Sequence, residues 1–145
     1  MSIATIKSQI KADLDSLVPA TLGEVQEDDF KTSIFDRDFG KFPVAILTTP
    51  EVAGDYLTNR ENMRIYHFNI VVIQKQENVA GVADIETLIE VLLNKFDNDP
   101  TLAGAASGGV EPSSSAPEAI VSRAKTYIAF VISIKIHESV TLTFS

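Results

Sequence analysis

The stretch MRIYHFNIVVIQKQ, residues 63–76, contains no glycine or proline and is rich in β-branched and aromatic residues. That composition is typical of a long β-strand. Successive side chains of a strand point to opposite faces of a sheet. One face of this stretch is uniformly apolar, with Tyr66, Phe68, Ile70 and Val72. The other face mixes apolar and polar residues, so we expect the first face to meet the core.

A second alternating stretch, residues 126–137, predicts another long strand with Ile128, Phe130, Ile132, Ile134 and Ile136 on its apolar face. A strand cannot bury such a face alone, so it must pair with strands earlier in the chain. The intervening segment TLAGAASGGVEPSSSAP, residues 101–117, is therefore a connection inside one domain and not a linker between two. We expect residues 1–145 to form a single domain with a long flexible loop over residues 98–117.

Two stretches have the periodicity of amphipathic helices. The first carries Ile3, Ile6, Ile10, Leu14 and Leu17 on one stripe and should end before Pro19. The second carries Ile85, Leu88, Ile89, Leu92, Leu93 and Phe96 and should end at DNDP, residues 97–100. The remaining pattern predicts short strands joined by turns over residues 23–40, a buried strand over Val44–Leu47 and a polar loop over residues 51–62.

The net charge is −8, and all of the excess lies in two segments. Residues 24–38 and residues 97–118 each carry a net charge of −4. This acidic balance argues against a direct grip on DNA or RNA, which requires concentrated lysine and arginine. The chain has no cysteine and no apolar run approaching the ~20 residues that cross a bilayer. We therefore expect a protein of a reducing compartment without membrane segments.

No motif predicts a catalytic, metal or cofactor site. Gly104 and Gly109 have the spacing of a phosphate loop, but Val110 and Glu111 follow where lysine and serine or threonine are needed. His67 and His137 have no third ligand beside them, so a zinc site is not expected. The serines at 113–115 lack the strand–turn–helix setting of a nucleophile.

The order of elements resembles the tail terminator, or tail completion, proteins of long-tailed bacteriophages, the minor tail protein U-like group. The resemblance covers roughly residues 3 to 137. An amphipathic helix is followed by FPVAIL, a polar loop, NMRIYHFNIVVIQ, the acidic helix DIETLIEVLLNKFDND, TLAG, a variable loop and AKTYIAFVISIKI.

The resemblance implies an α+β fold, with a mostly antiparallel sheet and both helices on one face. It implies a hexameric ring at the head-proximal end of the tail tube, which ends tube polymerisation and offers a surface for head–tail joining. The partners would be further copies of the chain, the tail-tube protein and the head connector or neck protein. DNA would pass through without specific binding, no reaction would be catalysed, and the protein would move from the host cytoplasm into the virion tail.

Two surfaces are candidates for these roles. The mixed strand face and the polar loop beside it predict an oligomer or tube interface at Arg60, Arg64, Ile65, Val71 and Ile73. The first acidic segment predicts a lumen lining or an acidic outer surface at Glu24, Glu27, Asp28, Asp29, Asp36 and Asp38. The alternatives are a neck or head–tail connector protein, a tail-tube subunit, and a small ligand-binding or enzymatic α+β domain.

Overall fold

The computed structural model describes residues 3–28, 40–56, 61–79, 81–100, 102, 109–122 and 124–141. Its elements, in chain order, are α1 (Ile3–Asp15), β1 (Glu24–Glu27), β2 (Val44–Leu47), β3 (Glu51–Tyr56), β4 (Glu61–Lys75), α2 (Val82–Asp97), β5 (Val110–Ser114), β6 (Glu118–Ser122) and β7 (Lys125–Thr141). The strands form one sheet in which β1 and β2 are parallel and the other pairs are antiparallel. The predicted α+β class is confirmed.

Both helices pack on the same face of the sheet. α1 contributes Ile6, Ile10 and Leu14, and α2 contributes Ile85, Leu88, Leu92 and Phe96. These side chains share one buried cluster with the apolar faces of β4 and β7. The helical stripes and the inward face of β4 were predicted from their spacing, and α2 ends at Asp97 as the sequence indicates.

The two long strands form the centre of the sheet. β4 and β7 pair without interruption from Glu61 opposite Thr141 to Lys75 opposite Tyr127. The pairing confirms that the C-terminal strand joins strands from before the Gly/Ser-rich segment.

Two segments predicted as loops form strands instead. Residues 51–56 of the predicted polar loop are β3, which pairs with the first half of β4. Residues 110–114 of the predicted flexible loop are β5, which pairs with β7. In both cases the segment has low β propensity of its own but pairs with the backbone of a long central strand. This pairing, and not the local composition, determines its structure. Residues 101 and 103–108 of that loop lie outside the described residues.

Residues 118–122 form a further strand, β6, which makes a hairpin with the start of β7. Pro112 is tolerated within β5 because of its orientation. The nitrogen atoms of Ser115 and His137 donate to the carbonyl oxygens of Val131 and Gly109, at 2.9 and 3.4 Å. In an antiparallel strand, the backbone groups of successive residues point alternately toward and away from the neighbouring strand. The nitrogen of Pro112 therefore points away from β7, and its missing N–H removes no hydrogen bond between β5 and β7.

The sheet contains an internal repeat. β2 and β3 lie along one side of β4 as a single strand with one extra residue between them, since Leu47 pairs with Ile70 and Glu51 with His67. β5 and β6 lie along β7 with the same one-residue offset, since Ser114 pairs with Ile132 and Glu118 with Ala129. Each offset is a β-bulge.

The two bulges have matching hydrogen bonds. The Thr48 nitrogen donates to the Asn69 carbonyl oxygen at 3.0 Å, and the Ser115 nitrogen donates to the Val131 carbonyl oxygen at 2.9 Å. A proline follows two residues later in each case, Pro50 and Pro117. The equivalent residues are 67 positions apart on the bulged strands and 62 positions apart on the long strands.

This equivalence defines a pseudo-two-fold axis through the sheet. Ile70 and Ile132 are equivalent in the repeat and are also directly paired, so the axis passes between them. β1 has no counterpart among the described residues.

Candidate interaction surface

The face of the sheet opposite the helices has two unlike halves, related by the pseudo-two-fold axis. We call the first the apolar half: Val44, Ile46, Val71, Ile73 and Ala129. We call the second the polar half: His67, Glu111, Ser113, Ser133, Lys135 and His137. The repeat makes Val44 equivalent to Glu111, Ile46 to Ser113, Val71 to Ser133, Ile73 to Lys135, and His67 to Ala129. The same backbone framework therefore carries opposite chemistry on its two sides.

The apolar half is buried. Val44, Ile46 and Ile73 are 0% exposed. Phe42, Ile120 and Tyr127 pack against the cluster. The rings of Phe42 and Tyr127 stack with centroids 5.9 Å apart, and the Lys75 ammonium lies 5.0 Å from the Phe42 ring centre. The ammonium and the ring thus form a cation–π contact at this end of the sheet.

The polar half carries a row of charged and titratable residues across four strands. The register aligns Glu51 of β3, His67 of β4, Lys135 of β7 and Glu111 of β5. Beside this row, His137 Nε2 lies 3.6 Å from Glu111 Oε2. The two glutamates thus flank His67 and Lys135, an arrangement that suits a polar contact better than an apolar one.

The next row of the polar half is uncharged. Ser133 Oγ donates a hydrogen bond to Asn69 Oδ1 at 2.9 Å. This bond joins β4 to β7 on the face without helices and lies between the charged row and the apolar half.

Of the five residues predicted as an interface, the four that the structure describes do not form one patch. Ile65, Val71 and Ile73 share the face opposite the helices, as alternation predicts, but Ile73 is 0% exposed and cannot contact a partner. Val71 is half-buried against the apolar half, and Ile65 is half-buried opposite His137. Arg64 is exposed on the other face, where it pairs in register with Glu138. Arg60 lies outside the described residues.

The predicted acidic surface is described in part. Glu24 and Glu27 begin and end the edge strand β1, and Asp28 follows. Glu24 accepts hydrogen bonds from Gln26 Nε2 at 2.9 Å and from the Gly40 nitrogen at 3.2 Å. Its carboxylate therefore connects β1 to the chain at Gly40. Asp29, Asp36 and Asp38 lie outside the described residues. The lumen role of this segment stays a prediction.

A buried carboxyl group on the helix side was not predicted. Asp13 of α1 is 8% exposed and accepts a hydrogen bond from Gln9 Nε2 at 3.3 Å. The pKa of Asp13 is raised from 3.8 to about 6, first by burial and then by the neighbouring carboxyl group of Asp99, against the attraction of Lys95. The sequence gives no signal for this pair, because the two acids are far apart in the chain and meet only through helix packing.

Two clefts open near the end of the sheet where β4 ends and β7 begins. The first has a volume of about 330 Å³ and includes Lys75, Lys125 and Tyr127 in its lining. The second, which we call the apolar groove, has a volume of about 440 Å³. Its lining is Gln76, Val79, Gly81, Val82, Ile85, Pro117, Glu118, Ala119 and Ile128.

No metal-binding cluster of three histidine or acidic side chains occurs in the part of the chain that the structure describes. His67 and His137 lie on the same face but in different rows, opposite Lys135 and Ile65. Among the described helices, none is long and apolar enough to span a membrane.

No protein-family model matches the chain, and no curated protein matches it. Among solved structures, one similar chain belongs to the virion of a native gene transfer agent particle. The two chains are 17% identical, the similarity covers 94% of each, and the TM-score is 0.44. At that score the similarity does not by itself establish a shared fold or role.

Proposed function

We propose that this chain is a structural virion protein of a long-tailed bacteriophage. In this proposal it forms a ring at the head-proximal end of the tail tube, ends tube polymerisation and provides the surface for head–tail joining. The observation that carries the proposal is the element order quoted above, together with the architecture that the resemblance implies: a mostly antiparallel sheet with both helices on one face. A fold alone does not determine a function, so surfaces and genetics must test it.

The surfaces are compatible with an assembly role. A closed ring of identical subunits needs two different complementary surfaces on each subunit. The described residues offer a charged polar half on one face and an apolar groove on the other. We propose no catalytic role, since neither cleft combines a nucleophile, a general base and an orienting group in hydrogen-bonded contact.

The acidic edge is proposed to face the passage for DNA. Glu27 is exposed at the end of β1, next to Asp28. A net-acidic lining would repel phosphate over a Debye length of roughly 8–10 Å at physiological salt, which lets DNA slide without sticking. An outer solvated surface remains the alternative for these residues.

The deciding experiment is tail length in the parent phage after deletion of this gene, measured by negative-stain electron microscopy. Overlong tubes without heads are expected for a terminator. Tails of normal length that fail to join heads would assign the chain to the neck, and an absence of tubes would assign it to the tube or to initiation.

Normal infectious virions after the deletion would contradict the structural role. Thermal unfolding of the purified protein with a panel of metals and nucleotides would then test the remaining alternative, a ligand-binding or enzymatic domain. A ligand that binds the folded state raises the unfolding temperature with its concentration.

A further inference from the structure

The apolar groove lies where the start of α2 and the strand β6 diverge over β7. Val82 and Ile85 supply its α2 side, and Pro117 and Ala119 supply its β6 side. Ile128 of β7 lies in register with Ala119. The lining is mostly apolar, and its volume of about 440 Å³ falls within the ~300–1,000 Å³ that binding clefts occupy.

Exposed apolar side chains extend this groove into a larger surface. Val82 and Val121 are each 72% exposed, the two highest values among the exposed large apolar side chains of the described residues. Val121 lies two residues beyond Ala119 on β6, so both point to the same face of the sheet. Contiguous exposed apolar surface of this kind marks an interaction site in soluble proteins.

The margin of the groove is acidic. Glu118 also lines the groove, but alternation along β6 directs its side chain to the opposite face of the sheet from Ala119. Glu86 is exposed and lies one helical turn after Val82, on the same side of α2. A partner segment therefore needs an apolar residue for the groove and positive charge beside it.

α1 presents that combination. Ile3 is 38% exposed although it begins the apolar stripe of the helix. Lys7 and Lys11 follow at intervals of four residues, which places them on the same side of α1 as Ile3. Lys11 Nζ also contacts Asp15 Oδ2 at 3.1 Å, which leaves Lys7 as the principal positive group for a partner.

We propose that the apolar groove binds the N-terminal end of α1 from a second copy of this chain. Ile3 enters the groove between Val82 and Ala119, and Lys7, one turn along the same helix, pairs with Glu86, one turn beyond Val82. The donor and acceptor surfaces differ, so each copy can use both at once, and successive contacts run head to tail. This contact supplies the ring of the proposed function, on which it rests.

Charge reversal tests the contact in the full-length chain. Sedimentation velocity over a concentration series should show self-association of the wild type. Lys7→Glu and Glu86→Lys should each weaken association by about tenfold or more, because like charges then face each other. The double variant should recover association, since the pair is restored in the opposite sense.

Three further variants serve as two controls and one independent probe. Lys41→Glu and Asp97→Lys make the same changes in net charge at exposed positions outside the contact and should associate like the wild type. Val82→Ser removes an exposed apolar group, so it should weaken association while circular dichroism and thermal unfolding stay unchanged.

A wild type that sediments as a monomer throughout, or single reversals that associate normally, would overturn the proposed contact. These outcomes are separate from the tail-length test. Overlong tails with a monomeric protein would contradict the contact alone. Concentration-dependent association that follows the charge swap, together with normal virions after gene deletion, would contradict the proposed function alone.

Discussion

The two halves of the face without helices have the same strand pairing but differ in burial. In the apolar half, Ile73 is fully buried among Val44, Ile46 and Ala129. At the equivalent position of the polar half, Lys135 is half-exposed between His67 and Glu111. Strand pairing is alike on both sides, so hydrogen bonding does not explain the difference. The difference lies in the side chains of each half and in the residues packed over them, such as Phe42, Ile120 and Tyr127 over the apolar half.

The comparison distinguishes residues that should stabilise the fold from residues that could contact a partner. Burying an apolar side chain contributes roughly 25 cal/mol per Å² of surface removed from water, whereas exposed charge pairs contribute little. The apolar half should therefore stabilise the fold, and the polar half should be free to vary or to meet a partner. The following substitutions test that division, from the largest expected effect to the smallest.

The largest effect is expected at the buried member of the equivalent pair. Ile73→Ala should lower the free energy of unfolding by about 2–5 kcal/mol, because it removes buried methyl groups and leaves a cavity. Lys135→Ala, its matched control, should change that free energy by no more than about 0.5 kcal/mol. Urea unfolding of both variants measures the difference. Equal losses would show that the two halves are energetically alike.

A pH-dependent effect is expected from the helix side. The pKa of Asp13 is raised from 3.8 to about 6, so the folded state binds a proton that the unfolded state releases between these values. The contribution of Asp13 to stability is therefore largest below pH 4 and falls as the pH rises to 6. A shift of this size corresponds to at most about 3 kcal/mol.

Asp13→Asn should remove the loss of stability that accompanies deprotonation of Asp13. The variant should gain stability relative to the wild type as the pH rises from 4 to 6, measured by urea unfolding at several pH values. Asp97→Asn, at an exposed position of α2, is the matched control and should show no such trend. If the Asp13 and Asp97 variants follow the same pH curve, the carboxyl pair does not oppose folding.

Removing the side-chain hydrogen bond at either bulge should lower the free energy of unfolding by a smaller amount, similar for the two bulges. Thr48 Oγ1 donates to the Asn69 carbonyl oxygen at 2.9 Å, and Ser115 Oγ accepts from the Val131 nitrogen at 2.8 Å. Thr48→Val and Ser115→Ala should each cost about 1 kcal/mol, the usual net value of one hydrogen bond. Thr49→Val, beside the first bulge, should be neutral in the same unfolding assay. Strongly unequal costs would show that the bulges are equivalent in geometry only.

The smallest effect is expected in the polar half. Glu111→Gln removes the ion pair that Glu111 forms with His137 at 3.6 Å. The Glu111 side chain is 65% exposed, so the change in unfolding free energy should stay within about 0.5 kcal/mol. A loss above ~1 kcal/mol would show that the charged row stabilises the fold.

Much of the fold could be predicted because its strongest signals are local. The helical stripe from Ile85 to Phe96 and the alternation from Tyr66 to Val72 state which side chains face the core. Pairing of the two long strands followed from the need to bury both apolar faces. The strands β3 and β5 were missed because segments such as VEPSS have little strand propensity of their own and acquire their structure by pairing with the long strands β4 and β7.

The candidate surfaces were harder to predict for a related reason. Alternation correctly placed Ile65 and Ile73 on one face, but it cannot tell that the first is half-buried and the second fully buried. That difference depends on what packs over each half. The groove beside Val82 also escaped prediction, because it arises from the divergence of α2 and β6, whose separation is not encoded in either segment alone.

The internal repeat bears on how the two halves of the sheet can differ in chemistry. Two separate half-length chains paired across Ile70 and Ile132 would build an equivalent central sheet, but every substitution would then occur twice. Joining both halves in one polypeptide lifts that constraint. A single chain can carry isoleucine at position 73 and lysine at the equivalent position 135, so covalent fusion allows one symmetric framework to hold a buried apolar half on one side and a half-exposed polar half on the other.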